Sequence, residues 1–108
     1  MKDGVCLSLP ALFIATGQAR AQEAGNPAHG LILAQQVCSE CHAVLRGEAR
    51  SPSSKAPTFA ELASTPGMTS AALFVALTTP HAGMPMFRLT AEQRADVIAY
   101  VLSLQRSN

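Results

Sequence analysis

CSECHAV, residues 38–44, sets two thiols and an imidazole within five consecutive positions. The whole chain of 108 residues has only one other cysteine, Cys6, and two other histidines, His29 and His81. Upstream, Asn26-Pro27 supplies a capping residue and a proline suited to the first helical position, which predicts a helix through AHGLILAQQVCSECH, residues 28–42. If that helix continues through the motif, Cys38, Cys41 and His42 stand at i, i+3 and i+4, and their side chains emerge on one face within one turn.

Three more helices are expected downstream. A short one follows Pro57, where Thr58 and Glu61 have the spacing of a capping box and Phe59 and Leu62 give an inner face. The next is TSAALFVALT, residues 69–78, with Leu73, Phe74 and Leu77 at helical spacing. The last begins at Thr90, with Gln93 three residues on, and runs to about Gln105. Val97, Tyr100, Val101 and Leu104 form its buried stripe, while Glu92, Arg94 and Asp96 are expected to face water. Between the motif and the second helix lies RGEARSPSSKA, residues 46–56, a polar loop expected to be exposed and mobile. No stretch alternates with period two. The fold class is all-α, about four helices in one domain.

The N-terminus reads as a secretory signal peptide. Lys2 precedes an apolar run from Val5 to Ile14, and Ala19-Arg20-Ala21 is a small-x-small cleavage pattern. The run is far shorter than the roughly 20 residues that span a bilayer. Cleavage after Ala21 divides the chain into a signal peptide, residues 1–21, and a domain, residues 22–108, and removes Cys6. The remaining 87 residues (108 less 21) are short of core, since a chain of that size buries only about 60–65% of its unfolded surface. Exported domains this small usually add disulfides or a metal, yet only Cys38 and Cys41 remain. Losing Lys2, Arg20 and Asp3 from 8 basic and 7 acidic residues leaves six of each, so nothing basic enough for nucleic acid is present.

A flat macrocycle answers both the motif and the missing core. Two thiols can add to the two vinyl groups of haem as thioethers while the adjacent imidazole meets the iron, and C-x-x-C-H is the spacing that c-type haem attachment uses. A thiol redox motif normally opens a helix after a strand, and no strand is expected here. A structural zinc site needs two further ligands, for which only His29 and His81 are at hand. A plain disulfide leaves His42 unexplained. A second iron ligand belongs downstream, and HAGMPMFRLT, residues 81–90, offers His81, Met84 and Met86.

CSECH, APTF (residues 56–59), MPMF (84–87) and LTAEQRADVIAYVLSL (89–104) together make the chain similar to the class I c-type cytochromes, the small monohaem periplasmic proteins of bacteria. The resemblance covers most of residues 22–108. It implies a cytochrome c fold around one covalent haem c, with the N- and C-terminal helices crossing. It also implies Met84 as distal ligand opposite His42, with Met86 as the competing assignment; His81 could coordinate in its place but reads rather as a residue of the haem edge or surface. Pro85 biases Met84 toward extended backbone and Gly83 permits close approach. His29 reads as a solvated first-turn residue and Met68 as core.

By position the family's small residue at the helix crossing maps to Gly30, its aromatic partner to Tyr100, and the proline whose carbonyl accepts from the proximal imidazole to Pro57. Ala34 stands where the family commonly has phenylalanine. The chain has no tryptophan, so Arg46, Arg50 and Lys55 are candidates to meet the propionates. With His42 and Met84 filling both axial positions, iron has no open site for substrate and cycles between two oxidation states. The implied role is a one-electron carrier, not an enzyme, with a potential raised by Met/His ligation. Burial among Leu33, Phe59, Leu73, Leu77, Phe87 and Val101 would push the same way. Two alternatives share the motif: an electron-accepting haem subunit of a larger periplasmic dehydrogenase, and a haem enzyme or gas sensor with a labile distal ligand. Partners are other redox proteins, docked by small charge-steered contacts in which Arg46, Arg50, Lys55 and Arg88 are candidates.

Overall fold

Asn26 starts the first helix in the expected way. Its side-chain oxygen accepts from the backbone N–H of Ala28 at 2.9 Å and of His29 at 3.2 Å, and Pro27 follows where its missing N–H costs nothing. A computed structural model describes residues 24–105, together with Gly4, Ser8, Pro10 and Ala11. The expected signal peptide lies almost wholly outside the described residues, and so does Cys6. Among the described residues the elements are α1 (Pro27–Leu33), a π-helical turn (Ala34–Cys38), α2 (Phe59–Ser64), α3 (Ser70–Thr78) and α4 (Ala91–Ser103). They include no strand, only an isolated bridge between His81 and Met84. The all-α class expected from the sequence holds.

Threonines open the later helices. Thr58 accepts from Glu61 N–H at 3.0 Å, and Thr69 from Ala72 N–H at 3.2 Å. At α4 both halves of the capping box form: Thr90 Oγ1 accepts from Gln93 N–H at 3.0 Å, and Gln93 Oε1 accepts from Thr90 N–H at 2.9 Å.

The regular part of α1 ends at Leu33, short of the motif, which corrects the expectation of one unbroken helix. Ser39 N–H bonds back five residues to Ala34 O at 3.0 Å, and Ser39 Oγ donates to Gln35 O at 2.6 Å. The extra residue in this turn rotates the motif by about 100° relative to α-helical register. Its effect is legible from spacing. Gly30, Ala34 and Cys38 are spaced four apart, and the wide turn shifts Cys38 from the direction an unbroken helix would give it while leaving it packed against the core that Ala34 shares with α4.

α1 lies tightly on α4. A Cβ on Gly30 would stand 1.9 Å from Asp96 O and 2.8 Å from Tyr100 Cβ, so only a residue without a side chain permits this approach. The core gathers Ala34, Val44, Phe59, Ala63 and Leu73 around Val97, Ile98, Tyr100, Val101 and Leu104 of α4. All four residues of the predicted α4 stripe, Val97, Tyr100, Val101 and Leu104, are buried, and Ile98 joins them.

The polar face of α4 departs from expectation. Asp96 is 8% exposed, because the first turn of α1 covers it and its Oδ1 accepts from Asn26 N–H at 2.7 Å. Arg94 is half-buried, its guanidinium 5.1 Å over the Phe74 ring and its Nη2 donating to Leu89 O at 3.4 Å. Helical periodicity places both off the apolar stripe; neighbouring elements cover them nonetheless.

Candidate functional site

The segment after the π-helical turn is held from four sides. Cys41 N–H and His42 N–H both bond Cys38 O, at 3.2 and 2.9 Å, so one helical-type turn survives inside the motif. Phe59 N–H donates to Ala43 O at 2.9 Å, and Tyr100 Oη donates to Val44 O at 2.6 Å. The polar loop turns back onto the same segment. Ser51 Oγ accepts from Ala43 N–H at 3.0 Å, and Ser53 N–H donates to Cys41 O at 3.1 Å, so the loop is exposed over most of its length yet tied to the motif.

His42 is fixed by its own hydrogen bond. Nδ1 lies 2.6 Å from Pro57 O, and because a carbonyl has only lone pairs, Nδ1 donates. The neutral ring then keeps its lone pair on Nε2, the state a metal ligand requires. The ring also packs on Phe59, with centroids 5.4 Å apart. The contact inferred for Pro57 is present.

Cys38, Cys41, His42 and Met84 all line one cavity of about 260 Å³. Its walls are mostly apolar: Phe59, Leu62, Met68, Leu73, Leu77, Phe87, Val97, Ile98 and Val101 contribute. Leu33 lies instead on a small adjoining recess, together with Met86. Met84 is half-buried whereas Met86 is 52% exposed, and only Met84 reaches the main cavity. Gly83 takes a φ of +82°, which turns the chain between His81 and Met84. His81 is exposed, lines the cavity, and has Nδ1 3.1 Å from Thr79 O. His29 sits apart, exposed on α1, with Nδ1 4.0 Å from Asp96.

The basic residues divide. Lys55 lines the cavity, whereas Arg50 and Arg88 are exposed away from its walls. Arg46 is used elsewhere: Nη2 donates to Ser103 O at 2.9 Å and Nη1 to Leu104 O at 3.3 Å, closing the C-terminal carbonyls of α4. Sequence reasoning missed this role and that of the Tyr100 hydroxyl, because both partners are backbone carbonyls more than 50 positions away.

Burial leaves its mark on the protonation of two groups. The Cys38 thiol is pushed up from 9.0 to about 11 by desolvation. The Tyr100 phenol is also raised, chiefly by burial, with Arg46 pulling it back and Glu48 adding to the rise. The thiol of Cys38 is therefore protonated at neutral pH. Among the described residues no group of three or more His, Cys, Asp or Glu side chains is arranged to hold a metal ion by itself. The cavity instead offers imidazoles (His42, His81) and thioethers (Met68, Met84) on mostly apolar walls beside the two thiols, which suits a macrocycle that brings its own equatorial ligands.

The family model described as "Cytochrome C oxidase, cbb3-type, subunit III" matches residues 25–101. Cytochrome c-552 of Bradyrhizobium diazoefficiens is 38% identical over 102 residues, which cover 94% of this chain and 93% of that protein. No solved structure matches the chain.

Proposed function

The chain belongs to the c-type cytochromes, the family that this match and this relative define, and on that premise we propose that it is a periplasmic one-electron carrier with His/Met axial ligation. Family membership carries the coarser statement: the protein binds haem c covalently and transfers electrons between redox partners. The finer assignment is that Cys38 and Cys41 form the thioethers, His42 is the proximal ligand and Met84 the distal one. What supports it is the single cavity that all four residues line, with Nδ1 of His42 already committed to Pro57 O.

Haem bound there supplies reversible one-electron chemistry at iron. The chain does the rest. Pro57 O holds the imidazole in the tautomer whose Nε2 is free to coordinate. The Met84 thioether, a weak neutral donor, favours the lower iron charge and so raises the potential. Phe59, Leu73 and Val101 keep water from the buried side of the cavity and act in the same direction. Lys55, at the wall, is placed to meet a propionate.

Export follows from the proposed signal peptide, residues 1–21, with residues 22–108 as the functional domain. No helix among the described residues is long and apolar enough to cross a membrane.

The absorption spectrum of the exported protein in both oxidation states tests the reading. The expected result is a low-spin spectrum with thioether ligation, colour that survives acid and denaturant, and no carbon monoxide binding to the reduced form. A colourless chain, or rapid carbon monoxide binding, overturns it.

A further inference from the structure

The cavity contains a second histidine prepared in the same manner as the first. His81 and His42 are its only two histidines, and in both the Nδ1 faces a backbone carbonyl, Thr79 O at 3.1 Å and Pro57 O at 2.6 Å. Each neutral ring therefore presents Nε2 as its unprotonated atom. His29, the third histidine, faces a carboxylate far from the cavity. His81 also pairs with Met84 across the isolated bridge, through a long bond from Met84 N–H to His81 O at 3.4 Å, so the two side chains come from one tight turn.

That turn is lightly held. Gly83 at φ +82° lies at its apex, and among the described residues no hydrogen bond ties residues 82–88 to another element. Both side chains already line the cavity, so moving the His81 ring inward as the Met84 sulfur withdraws disrupts little beyond the His81–Thr79 bond and the long Met84 bond.

We infer that His81 is a reserve distal ligand: its Nε2 takes the iron when the Met84 thioether leaves. The inference rests on the reading that Met84 is the resident distal donor. The exchange moves no electron; one neutral two-electron donor leaves as another enters. A soft thioether suits the ferrous state, whereas imidazole is a harder, stronger donor, so the exchange belongs to the ferric protein and lowers its potential.

The test uses haem-loaded protein carrying Met84→Leu, which keeps the apolar volume, with Met84→Ala as a second variant in case either fails to accumulate. In the ferric state each is expected to be low-spin with bis-imidazole absorption and electron paramagnetic resonance signals, and its reduction potential falls below that of the parent. Adding His81→Ala converts the protein to high-spin, and added free imidazole restores the low-spin form. His81→Ala alone keeps the parent spectrum. The exchange is overturned if Met84→Leu and Met84→Ala are already high-spin with His81 in place. A thioether spectrum that survives both changes at Met84 and is lost in Met86→Ala shows instead that Met86 is the distal donor; the ligand assignment then falls, and the exchange with it.

Discussion

Gly30 occupies a point where a single methyl group has nowhere to go. The atoms that a Cβ would strike belong to the backbone of α4 at Asp96 and to the Cβ of Tyr100, neither of which can swing aside as a flexible side chain could. Gly30→Ala must therefore push α1 off α4, and the expected cost is about 3 kcal/mol. In a domain of this size that corresponds to a fall in melting temperature of roughly 15 °C, which differential scanning calorimetry of the haem-loaded variant would measure. An unchanged melting temperature would mean that the helices are not packed at this distance. Gly30 was legible in the sequence only through its position relative to Cys38, a matter of family likeness. Spacing alone supports Cys38, Cys41 and His42, since three side chains at i, i+3 and i+4 have few other uses. The preference for Met84 over Met86 comes from the Met84-Pro85 dipeptide, again a matter of family likeness; in the fold Met84 lines the cavity after the turn at Gly83, and Met86 stays 52% exposed.

Elements were legible where their reasons are local. Asn26, Thr58, Thr69 and Thr90 each bond N–H groups within three residues, so short windows of sequence carry the signal for where helices begin. The π-helical turn was not legible, because what it accomplishes depends on α4, which lies some 60 positions downstream. It also leaves Cys38 in a desolvated position, and this yields a pH dependence. Folding raises the thiol from 9.0 to about 11, so the folded state holds that proton more tightly than the unfolded state does. The contribution to stability is complete below pH 9 and is lost as pH climbs toward 11. Urea midpoints of haem-free protein are expected to decline across that window, and Cys38→Ala to reduce the decline. Once the sulfur is a thioether it has no proton to lose, and this component is absent from the haem-loaded form. A flat profile for haem-free parent that still unfolds cooperatively in urea would show that Cys38 is not buried.

At the scale of the molecule, charge is nearly balanced: removal of the proposed signal peptide leaves six basic and six acidic residues. Arg46 is engaged with the end of α4, and Arg94 with Phe74 and Leu89, so two of those cations do not stand free to form a docking patch. Electrostatic steering can change association rates by about 10- to 10³-fold, and it vanishes with salt. The expectation here is a weak response: electron exchange with a small charged complex, followed by stopped flow, varies only severalfold between low and high ionic strength. A steep dependence would reveal a concentrated patch. The hydrogen bond from Asn26 to Asp96 joins positions 70 residues apart. For a polypeptide threaded through a translocase from its amino end, the first helix can find its mate only after the last has emerged. On the proposed export route, both thiols would thus stay reachable until the two ends meet.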